Sequence, residues 1–419
     1  MKLLVVHDKP RMEVGGMNTF IAAQNALLKR AGHEVLEVIC TPQAQNQALH
    51  VMPSGRSLSG APSKAWADLM NQVQPDAVLL HSPYYAISPT VLRWLQMRTA
   101  CLSVLHDVTP LCPRLTRLTR EGLPCTERQG VACVRGGCYR VGENGRALSD
   151  THGLLMRALQ SFAGRAVHQW VVPSRYMADL LEQHAVASER IAVLPHFNAR
   201  TVALVGPTAP VVGRLLFVGR LVPEKGLAVL LQALQALGHR DWTLHIAGAG
   251  PERDALAPLA ASLGVNQAGQ SRIRWLGDLS PPALALEYSQ SSMVVMPSLI
   301  PESFGLVGLE AMQHARPVVG FASGGMNEWL RDGITGSVAT WGRADSLAAA
   351  IDKLLMNATL ATQMGLQGRD VLRREFSTAA HLNRLEALID SAVQAHRHQV
   401  RRAPRSKGNG TSVSHISWP

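Results

Sequence analysis

Two glutamates in one apolar segment have the residue types and the spacing to bind a sugar phosphate. Glu302 and Glu310 are separated by seven residues in the stretch PSLIPESFGLVGLEAMQ. Gly305 marks the start of a predicted helix, so Glu302 precedes the helix and Glu310 lies one to two turns inside it. Helical side chains lean toward the N-terminus, which brings Glu310 back beside the opening turn. Free N–H groups at a helix start attract phosphate, and acids to either side suit hydroxyls, so a sugar phosphate or nucleotide sugar fits this segment.

Two cations and a second glycine turn follow predicted strands in the same half of the chain. The loop GRLVPEKG carries Arg220 and Lys225, which could grip a diphosphate or could be solvated charges on a surface loop. The turn Gly248-Ala-Gly250 also follows a strand and is predicted to contact the nucleotide. It lacks the third glycine of a dinucleotide fingerprint, which disfavours NAD and FAD.

A histidine stands at the end of a predicted strand in the first half. His106 directly follows the apolar run Cys101–Leu105. Ligands of α/β proteins bind at the carboxyl ends of parallel strands, so His106 is a candidate site residue, although it could equally be an ordinary loop residue. Asp107 is interpreted as an orienting or structural group.

These residues are positioned by a strand, glycine loop and helix unit that occurs twice. In the first half Leu3–Val6 is followed by Gly15-Gly16 and a helical pattern over Thr19–Ala31; in the second, Leu215–Val218 is followed by a leucine-rich helix. The fold class is therefore α/β, with two doubly wound domains and a ligand cleft between them. The other predicted strands are Glu34–Ile39, Ala77–Leu80, Cys101–Leu105, Trp170–Val172, Ile191–Val193, Thr243–Ala247, Ile273–Leu276, Met293–Met296 and Pro317–Phe321.

The pattern divides the chain into four parts. One Rossmann-like domain is predicted over residues 1–197 and a second over 198–376, with a proline-bearing hinge at 195–210. A helix over 377–400 is expected to pack back toward the first domain. The basic tail, 401–419, is predicted to be disordered.

An insertion near residues 108–147 is rich in cysteine and arginine. It holds four of the six cysteines, Cys112, Cys125, Cys133 and Cys138, whose spacing is not that of a zinc ribbon. Buried thiols and a structural zinc site both remain open. The seven arginines, including Arg114, Arg117 and Arg120, are interpreted as a docking surface for an anionic acceptor or membrane head groups, with a merely solvated face as the alternative. The basic residues Arg397, Arg401, Arg402, Arg405 and Lys407 would extend that surface.

Composition limits the possible partners and location. The formal charge of +11 indicates an anionic partner, which could be nucleic acid, an anionic membrane or a phosphorylated substrate. Nucleic acid is disfavoured because only 5% of the residues are aromatic and no nucleic-acid motif is present. The opening MKLLVVHDKPRM has too short an apolar run for a signal peptide, and no stretch approaches a membrane span. We therefore expect a cytoplasmic protein, either soluble or peripheral on the inner face of the membrane.

Four motifs occur in the same order as in a known family. GRLVPEKG, IAGAGPE, the two glutamates with their spacing of seven, and GGMNEWLRDGITG resemble the family 4 glycosyltransferases, most specifically over Leu215–Val338. The resemblance implies the GT-B fold, in which two Rossmann-like domains face each other across a cleft. It further implies that the second domain, 198–376, binds the nucleotide-sugar donor and that the first, 1–197, forms the acceptor side. Transfer would proceed with retention at the anomeric carbon and without a bound metal.

The resemblance also assigns roles to individual residues. Glu310 would hold the donor ribose hydroxyls, Glu302 would lie beside the donor sugar, and His106 would touch that sugar. Arg220 and Lys225 would bind the diphosphate and stabilise the leaving group. The backbone at the start of the glutamate-bearing helix would meet the phosphate, and the first domain's glycine loop would approach it from across the cleft; these residues are Phe304, Gly305, Leu306 and Gly16. The chain departs from the family at Pro195-His196-Phe197-Asn198, to which no role is assigned.

The expected function is transfer of a sugar from a UDP- or GDP-sugar to a hydroxyl of a glycan, glycolipid or lipid-linked acceptor in cell-surface polysaccharide biosynthesis. No Asp-x-Asp occurs in the sequence, which fits a site that uses protein cations and no metal or other cofactor. The alternatives are a nucleotide-sugar epimerase of the same architecture and, more remotely, a basic nucleic-acid-binding protein. Two side chains are also given local structural roles: Ser174 is predicted to cap a helix beginning near Arg175, and Glu328 to brace the sugar-side loop.

Overall fold

The computed structural model describes most of the chain. The described residues are 1–8, 16–41, 50–53, 64–82, 89–138, 167–199 and 209–402. Several predicted features fall outside these ranges: Gly15, the central part of the hinge, the end of the cysteine-rich insertion, and the basic residues Arg405 and Lys407.

The first sheet is parallel and buried on both faces. Among the described residues it has seven strands in the order β3-β2-β1-β4-β5-β6-β7. Their continuous apolar runs suit strands that are covered by helices on each side. The bounds are β1 Lys2–Asp8, β2 Glu34–Thr41, β3 His50–Pro53, β4 Ala77–His81, β5 Ala100–Val104, β6 Gln169–Val172 and β7 Ile191–Val193. The described helices of this part are α1 Gly16–Arg30, α2 Lys64–Val73, α3 Pro89–Gln96, α4 Val131–Arg135 and α5 Arg175–Gln183.

The second sheet repeats the arrangement within the continuous stretch 209–402. Six parallel strands lie in the order β10-β9-β8-β11-β12-β13. Their bounds are β8 Arg214–Val218, β9 Thr243–Ala247, β10 Ile273–Gly277, β11 Met293–Met296, β12 Val318–Gly320 and β13 Gly336–Val338. The helices are α6 Leu227–Gln235, α7 Glu252–Ser262, α8 Pro281–Gln290, α9 Leu306–Gln313, α10 Ala344–Leu355 and α11 Ala358–Glu375.

The last helix returns to the first sheet. Helix α12, Thr378–Arg402, carries Leu385, Ile389, Ala392 and Val393, which are buried in one cluster with residues of β1, β4 and β5. Their spacing places all four on one face of the helix. The tail was predicted to begin at residue 401, but the helix includes Arg401 and Arg402.

The α/β fold of two Rossmann-like domains is confirmed. Every strand predicted from sequence is present, and no bound differs from the prediction by more than two residues. The first helix begins at Gly16, three residues before its predicted start. Strands β3 and β13 were not predicted, because HVMP and GSV are too short and too weakly apolar to stand out as strands.

Candidate active site

A cavity of about 250 Å³ lies between the two sheets, where strands of both end. The first domain contributes Gly16 and Met17 from the start of α1, His106 from the loop after β5, and His196 from the segment after β7. The second contributes Lys225, the end of β8, and the loop from β11 into α9. The described lining residues of this second wall are Phe217, Val218, Gly219, Lys225, Met296, Pro297, Ser298, Glu302, Ser303, Phe304, Gly305, Leu306 and Val307.

Two helix N-termini meet at this cavity. Helix α1 begins at Gly16 and α9 at Leu306, and a Cβ atom added to Gly16 would lie 3.2 Å from the Leu306 Cδ1 atom. Gly305, which precedes α9, has a φ of 87°, a left-handed conformation that favours glycine. Helix starts present N–H donors and partial positive charge, so the cavity is suited to an anionic group such as a phosphate.

Glu302 is held as a carboxylate in the second wall. Its Oε1 atom lies 2.5 Å from Lys225 Nζ and accepts a hydrogen bond of 2.5 Å from Ser298 Oγ. Burial by itself would raise the pKa of Glu302, but the charge and hydrogen bond of Lys225, the hydroxyl of Ser298 and the charge of Arg220 outweigh it. The resulting pKa lies below its usual value. The cavity therefore contains a fixed anion paired with a cation beside a helix start.

Seven of the predicted site residues line the cavity together. They are Gly16, His106, Lys225, Glu302, Phe304, Gly305 and Leu306. Arg220, Gly248 and Glu310 are not part of its described lining. Arg220 is exposed but close enough for its charge to lower the pKa of Glu302.

Gly248 and Glu310 have local partners in the structure. A Cβ atom added to Gly248 would lie 2.0 Å from the Gly219 carbonyl oxygen, so this glycine allows two loops to pack closely. Glu310 is half-buried in α9, and its Oε2 accepts a 2.7 Å hydrogen bond from the Tyr288 hydroxyl. Its carboxylate is thus oriented by α8, behind the opening turn of α9.

His106 is neutral, and its ring is held by a hydrogen bond with a second histidine. Burial, together with the nearby His7 and His381 side chains, lowers the pKa of His106 to about 3. Its Nε2 atom lies 2.8 Å from His81 Nδ1, and its Nδ1 is buried without a hydrogen-bond partner among the described residues. At neutral pH this ring cannot act as a cation toward a bound phosphate.

His196 is a cavity residue to which sequence analysis assigned no role. It is buried, its ring centroid lies 4.1 Å from that of Phe20, and it also contacts Phe304 of the second domain at 5.3 Å. Burial lowers the pKa of His196 well below its usual value, so it too is neutral. The signal was available, because His196 follows β7 at the same sheet edge that singled out His106.

Helix α5 is capped by the other domain as well as by its own serine. Ser174 Oγ accepts from the Met177 N–H at 3.3 Å, which confirms the predicted N-cap, and the same hydroxyl donates to the Ser303 carbonyl oxygen at 2.7 Å. Glu328 Oε1 accepts a hydrogen bond of 2.6 Å from the Arg175 N–H. Glu328 therefore reaches across the cleft to a helix start of the first domain.

The arginine surface predicted in the insertion is wrong for one of its members. Arg117 is only 3% exposed, and its Nη1 donates to the Glu127 carbonyl oxygen at 2.7 Å, so this guanidinium supports the local chain. Arg120 is exposed and Arg114 is half-buried. Sequence alone could not separate them, because all three occupy equivalent places in a polar, unpatterned segment.

The cysteines of the insertion carry free thiols. Cys112 and Cys133 are buried, while Cys125 and Cys138 are partly exposed. Within the described ranges, no group of three or more His, Cys, Asp or Glu side chains is arranged to hold a metal ion. Every helix in the described part of the chain is too short or too polar to span a bilayer.

The two halves match two family models. The model described as glycosyl transferases group 1 matches residues 213–371, and the model described as glycosyltransferase family 4 matches residues 14–197. Together they include both walls of the cavity.

Curated relatives match over part of their length. A GDP-mannose-dependent α-(1-6)-phosphatidylinositol monomannoside mannosyltransferase of Mycolicibacterium smegmatis is 34% identical over 36% of this chain and 40% of the relative. The lipopolysaccharide core biosynthesis glycosyltransferase LpsE of Rhizobium meliloti is 34% identical over 44% of this chain and 49% of the relative. The chain thus spans less than half the length of these relatives.

Solved structures share the whole architecture at low identity. Anabaena Alr3699/HepE in complex with UDP superposes with a TM-score of 0.65 at 16% identity, covering 93% of this chain and 100% of that one. Sucrose-phosphate synthase from Thermosynechococcus elongatus gives a TM-score of 0.64 at 19% identity, covering 94% and 99%. These similarities concern the fold.

Proposed function

Because the chain belongs to the family 4 glycosyltransferases, we propose that it transfers a sugar from a nucleotide-sugar donor to an acceptor hydroxyl, with retention of configuration, in the cavity between its two domains. The donor lies with its diphosphate at the start of α9 and its sugar toward His106. The acceptor enters from the side of the first domain.

One observation carries this proposal: the ion pair of Lys225 and Glu302 lies beside the start of α9 and faces the start of α1 across the same cavity. Departure of a nucleoside diphosphate develops negative charge on its phosphate oxygens. Prepositioned cations and helix N–H groups stabilise that charge without reorganising during the reaction. Glu302 keeps Lys225 in place, and its second oxygen remains to contact a sugar hydroxyl.

The donor is bound in two parts. Lys225 and Arg220 bind the diphosphate, and Glu302 and His106 contact the sugar. Glu310, oriented by Tyr288, binds the ribose hydroxyls, for which the donor must extend beyond the described cavity along α9. A UDP- or GDP-sugar is supported by the relatives, since HepE was solved with UDP and the mycobacterial mannosyltransferase is named for its use of GDP-mannose.

The positive charge that stabilises the leaving group is assigned to two cationic side chains and not to the cavity histidines. His106 and His196 are neutral and buried, so neither is a source of positive charge for the leaving group. We therefore place the leaving-group stabilisation on Lys225 and Arg220, and the acceptor proton passes to the departing phosphate. The reaction then requires no metal ion.

The acceptor is a glycan, a glycolipid or a lipid-linked saccharide, and the enzyme acts in cell-surface polysaccharide synthesis at the inner face of the membrane. This part of the proposal is supported by relatives named for lipopolysaccharide core synthesis and for phosphatidylinositol mannoside mannosylation. The exposed Arg120 and the overall charge of +11 provide attraction for an anionic surface.

A thermal-shift screen against UDP-, GDP- and ADP-sugars tests the donor, and incubation of the stabilising donor with lipid-linked saccharides tests transfer. The product's anomeric configuration, read by NMR, should match that of the donor. An inverted product would contradict retention, and binding of no nucleotide sugar would contradict the proposed function. Conversion of the donor alone into an epimer would favour the epimerase alternative.

A further inference from the structure

A chain of buried polar side chains leads from the C-terminal helix to the cavity. His381 of α12 lies 3.3 Å from Gln24 of α1, and Gln24 lies 3.4 Å from His81 at the end of β4. His81 lies 2.8 Å from His106, the cavity residue. All four side chains are at least nine-tenths buried, so the positions of their hydrogens are decided by each other and not by solvent.

The donor-to-acceptor direction of these hydrogen bonds is set at His381, the residue farthest from the cavity. His381 Nδ1 lies 2.8 Å from the Pro195 carbonyl oxygen, which can only accept, so Nδ1 carries a hydrogen. Burial lowers the pKa of His381 to about 4, so the ring is neutral and its Nε2 is a lone pair. As placed, Gln24 Oε1 faces His381 Nε2 and Gln24 Nε2 faces His81 Nε2, so this hydrogen pattern requires the near-isosteric amide to be turned by 180°. Its NH2 group then faces His381 and its oxygen faces His81, because amide orientation follows from the partners.

The same logic continues to the cavity. Since the Gln24 oxygen accepts, His81 donates from Nε2 and accepts at Nδ1, so His106 donates from its own Nε2. Burial lowers the pKa of His81 well below its usual value, which leaves it one hydrogen only. The opposite direction would require either a buried imidazolium at His381 or a lone pair of its ring against the Pro195 carbonyl.

We propose that Gln24 and His81 are positioning residues, which together with His381 hold His106 as the Nε2–H tautomer so that its bare Nδ1 accepts a hydrogen bond from a hydroxyl of the bound sugar. The Nδ1 atom is the ring nitrogen without a hydrogen-bond partner among the described residues, and His106 lines the cavity. Since Nδ1 is buried, the His106 ring or the adjoining cavity wall must shift for a sugar hydroxyl to reach it. That the ligand is a donor sugar rests on the proposed function; the tautomer does not.

The tautomer can be measured directly in the full-length protein. With histidine labelled by 15N, long-range proton–nitrogen correlation spectra at neutral pH show which ring nitrogen bears hydrogen, and His106→Gln assigns the signals. Hydrogen on Nε2 with a bare Nδ1 is expected. Hydrogen on Nδ1, or on both nitrogens, would overturn the proposal. This measurement needs neither substrate nor activity.

Two substitutions at Gln24 separate positioning from simple packing. Gln24→Met keeps the volume but cannot bond to either ring, so His106 should populate both tautomers and kcat/KM should fall about tenfold, the loss of roughly one hydrogen bond. Gln24→Glu still accepts from His81, so it should preserve the tautomer of His106 and most of the activity. Equal spectra and equal rates in all three proteins would overturn the positioning role.

A matched control comes from α12, the helix that carries His381. His396 of α12 contacts His168 at 3.2 Å, a second histidine pair of the first domain that lies outside the cavity lining. His396→Gln should leave both the His106 signals and the transfer rate unchanged. If Gln24→Met does not fold, the wild-type spectrum still decides the tautomer. If no nucleotide sugar supports transfer, the proposed function fails while the result on the tautomer stands.

Discussion

The Ser174 hydroxyl joins the two domains by donating a 2.7 Å hydrogen bond to the Ser303 carbonyl oxygen, two residues before Gly305 and the start of α9. The Arg175 N–H next to it donates to Glu328 Oε1. The start of α5 is therefore completed by groups from the opposite wall. These contacts hold the loop that carries Glu302 against the first domain, which is the arrangement that encloses the cavity.

Glu328→Ala should weaken this closed arrangement without touching the sugar site. A helix cap is worth about 1 kcal/mol, so the KM for the donor is expected to rise about fivefold while kcat changes little. Steady-state kinetics with the preferred donor measures both constants. Asp345→Asn, which disrupts the exposed Arg343–Asp345 pair of the same domain, is the control and should behave as wild type. An unchanged KM in Glu328→Ala would show that the contact does not contribute to closure.

Removing either member of the Lys225–Glu302 pair should nearly abolish transfer. Lys225→Ala removes charge stabilisation from the leaving group, and Glu302→Gln frees Lys225 and alters the sugar contact, so each is expected to lower kcat by about 10²-fold or more. Circular dichroism should show an intact fold in both. Turnover near the wild-type rate in either variant would contradict the site assignment. Arg240→Ala is the control: it breaks the Arg240–Asp352 ion pair of the same domain, which is not part of the described cavity lining, and should retain activity.

Gly308→Ala should destabilise α9, the helix that carries Glu310. A Cβ atom at Gly308 would lie only 2.1 to 2.4 Å from the ring of Trp329, which is fully buried and donates its indole N–H to the Phe304 carbonyl oxygen. Overpacking of this kind costs about 1–3 kcal/mol of unfolding free energy. Urea denaturation measures the loss. Gly238→Ala should cost far less, because Gly238 is exposed and an added Cβ atom would meet only the Gln235 carbonyl oxygen, at 3.5 Å. Equal stability of the two variants would be inconsistent with the packing of Trp329 on α9.

Stability should fall as the solution is acidified from neutral pH toward pH 5. The pKa of His106 is lowered to about 3 and that of His381 to about 4, whereas both return to their usual value of 6.5 on unfolding. Between these values the unfolded chain binds more protons than the native one, so the unfolding free energy decreases as pH falls, by up to about 1.4 kcal/mol per pH unit for each such histidine. Urea midpoints measured from pH 7 to pH 5 test this.

His381→Asn provides the matching control for that pH dependence. Its amide can still donate to the Pro195 carbonyl oxygen, but it does not titrate. The unfolding free energy should therefore fall less steeply with acidification, by the slope that corresponds to about one bound proton. A wild-type protein that gained stability on acidification would contradict the neutral state of these buried rings.

Chelation should leave transfer intact. If Lys225 and Arg220 stabilise the leaving diphosphate, activity measured after dialysis against EDTA should equal that of the untreated enzyme, and added Mg²⁺ or Mn²⁺ should not increase it. Loss of activity that either ion restores would show that a metal takes part in the reaction.

The sequence was sufficient for the two sheets and for the residues that sit at strand ends and helix starts. Long apolar runs identify buried parallel strands, and Gly305 together with Glu302 marks the start of α9, so much of the cavity wall could be predicted. The short β13 could not, because its place in the sheet comes from pairing with β12 and not from its own residues. The same limit applies to function, since Arg117 and Arg120 differ only in what the fold places around them.

The histidine chain shows a second limit. His81, Gln24 and His381 are separated by up to 357 residues in sequence, and no local pattern connects them. They become neighbours only because α1 and α12 pack on the sheet that contains β4. Sequence analysis identified His106 by its place after β5, but not the distant residues that decide its protonation.

The position of α12 also has a consequence for how the protein is made. The face of the first sheet that receives Leu385 and Ile389 is built from strands synthesised early, while its cover is synthesised after the entire second domain. The first domain therefore cannot complete its core before α12 is made, and an apolar surface stays uncovered while the 184 residues between Val193 and Thr378 are translated. A nascent chain stalled before Thr378 should thus bind chaperones that recognise exposed apolar surface, and release them once the last helix emerges.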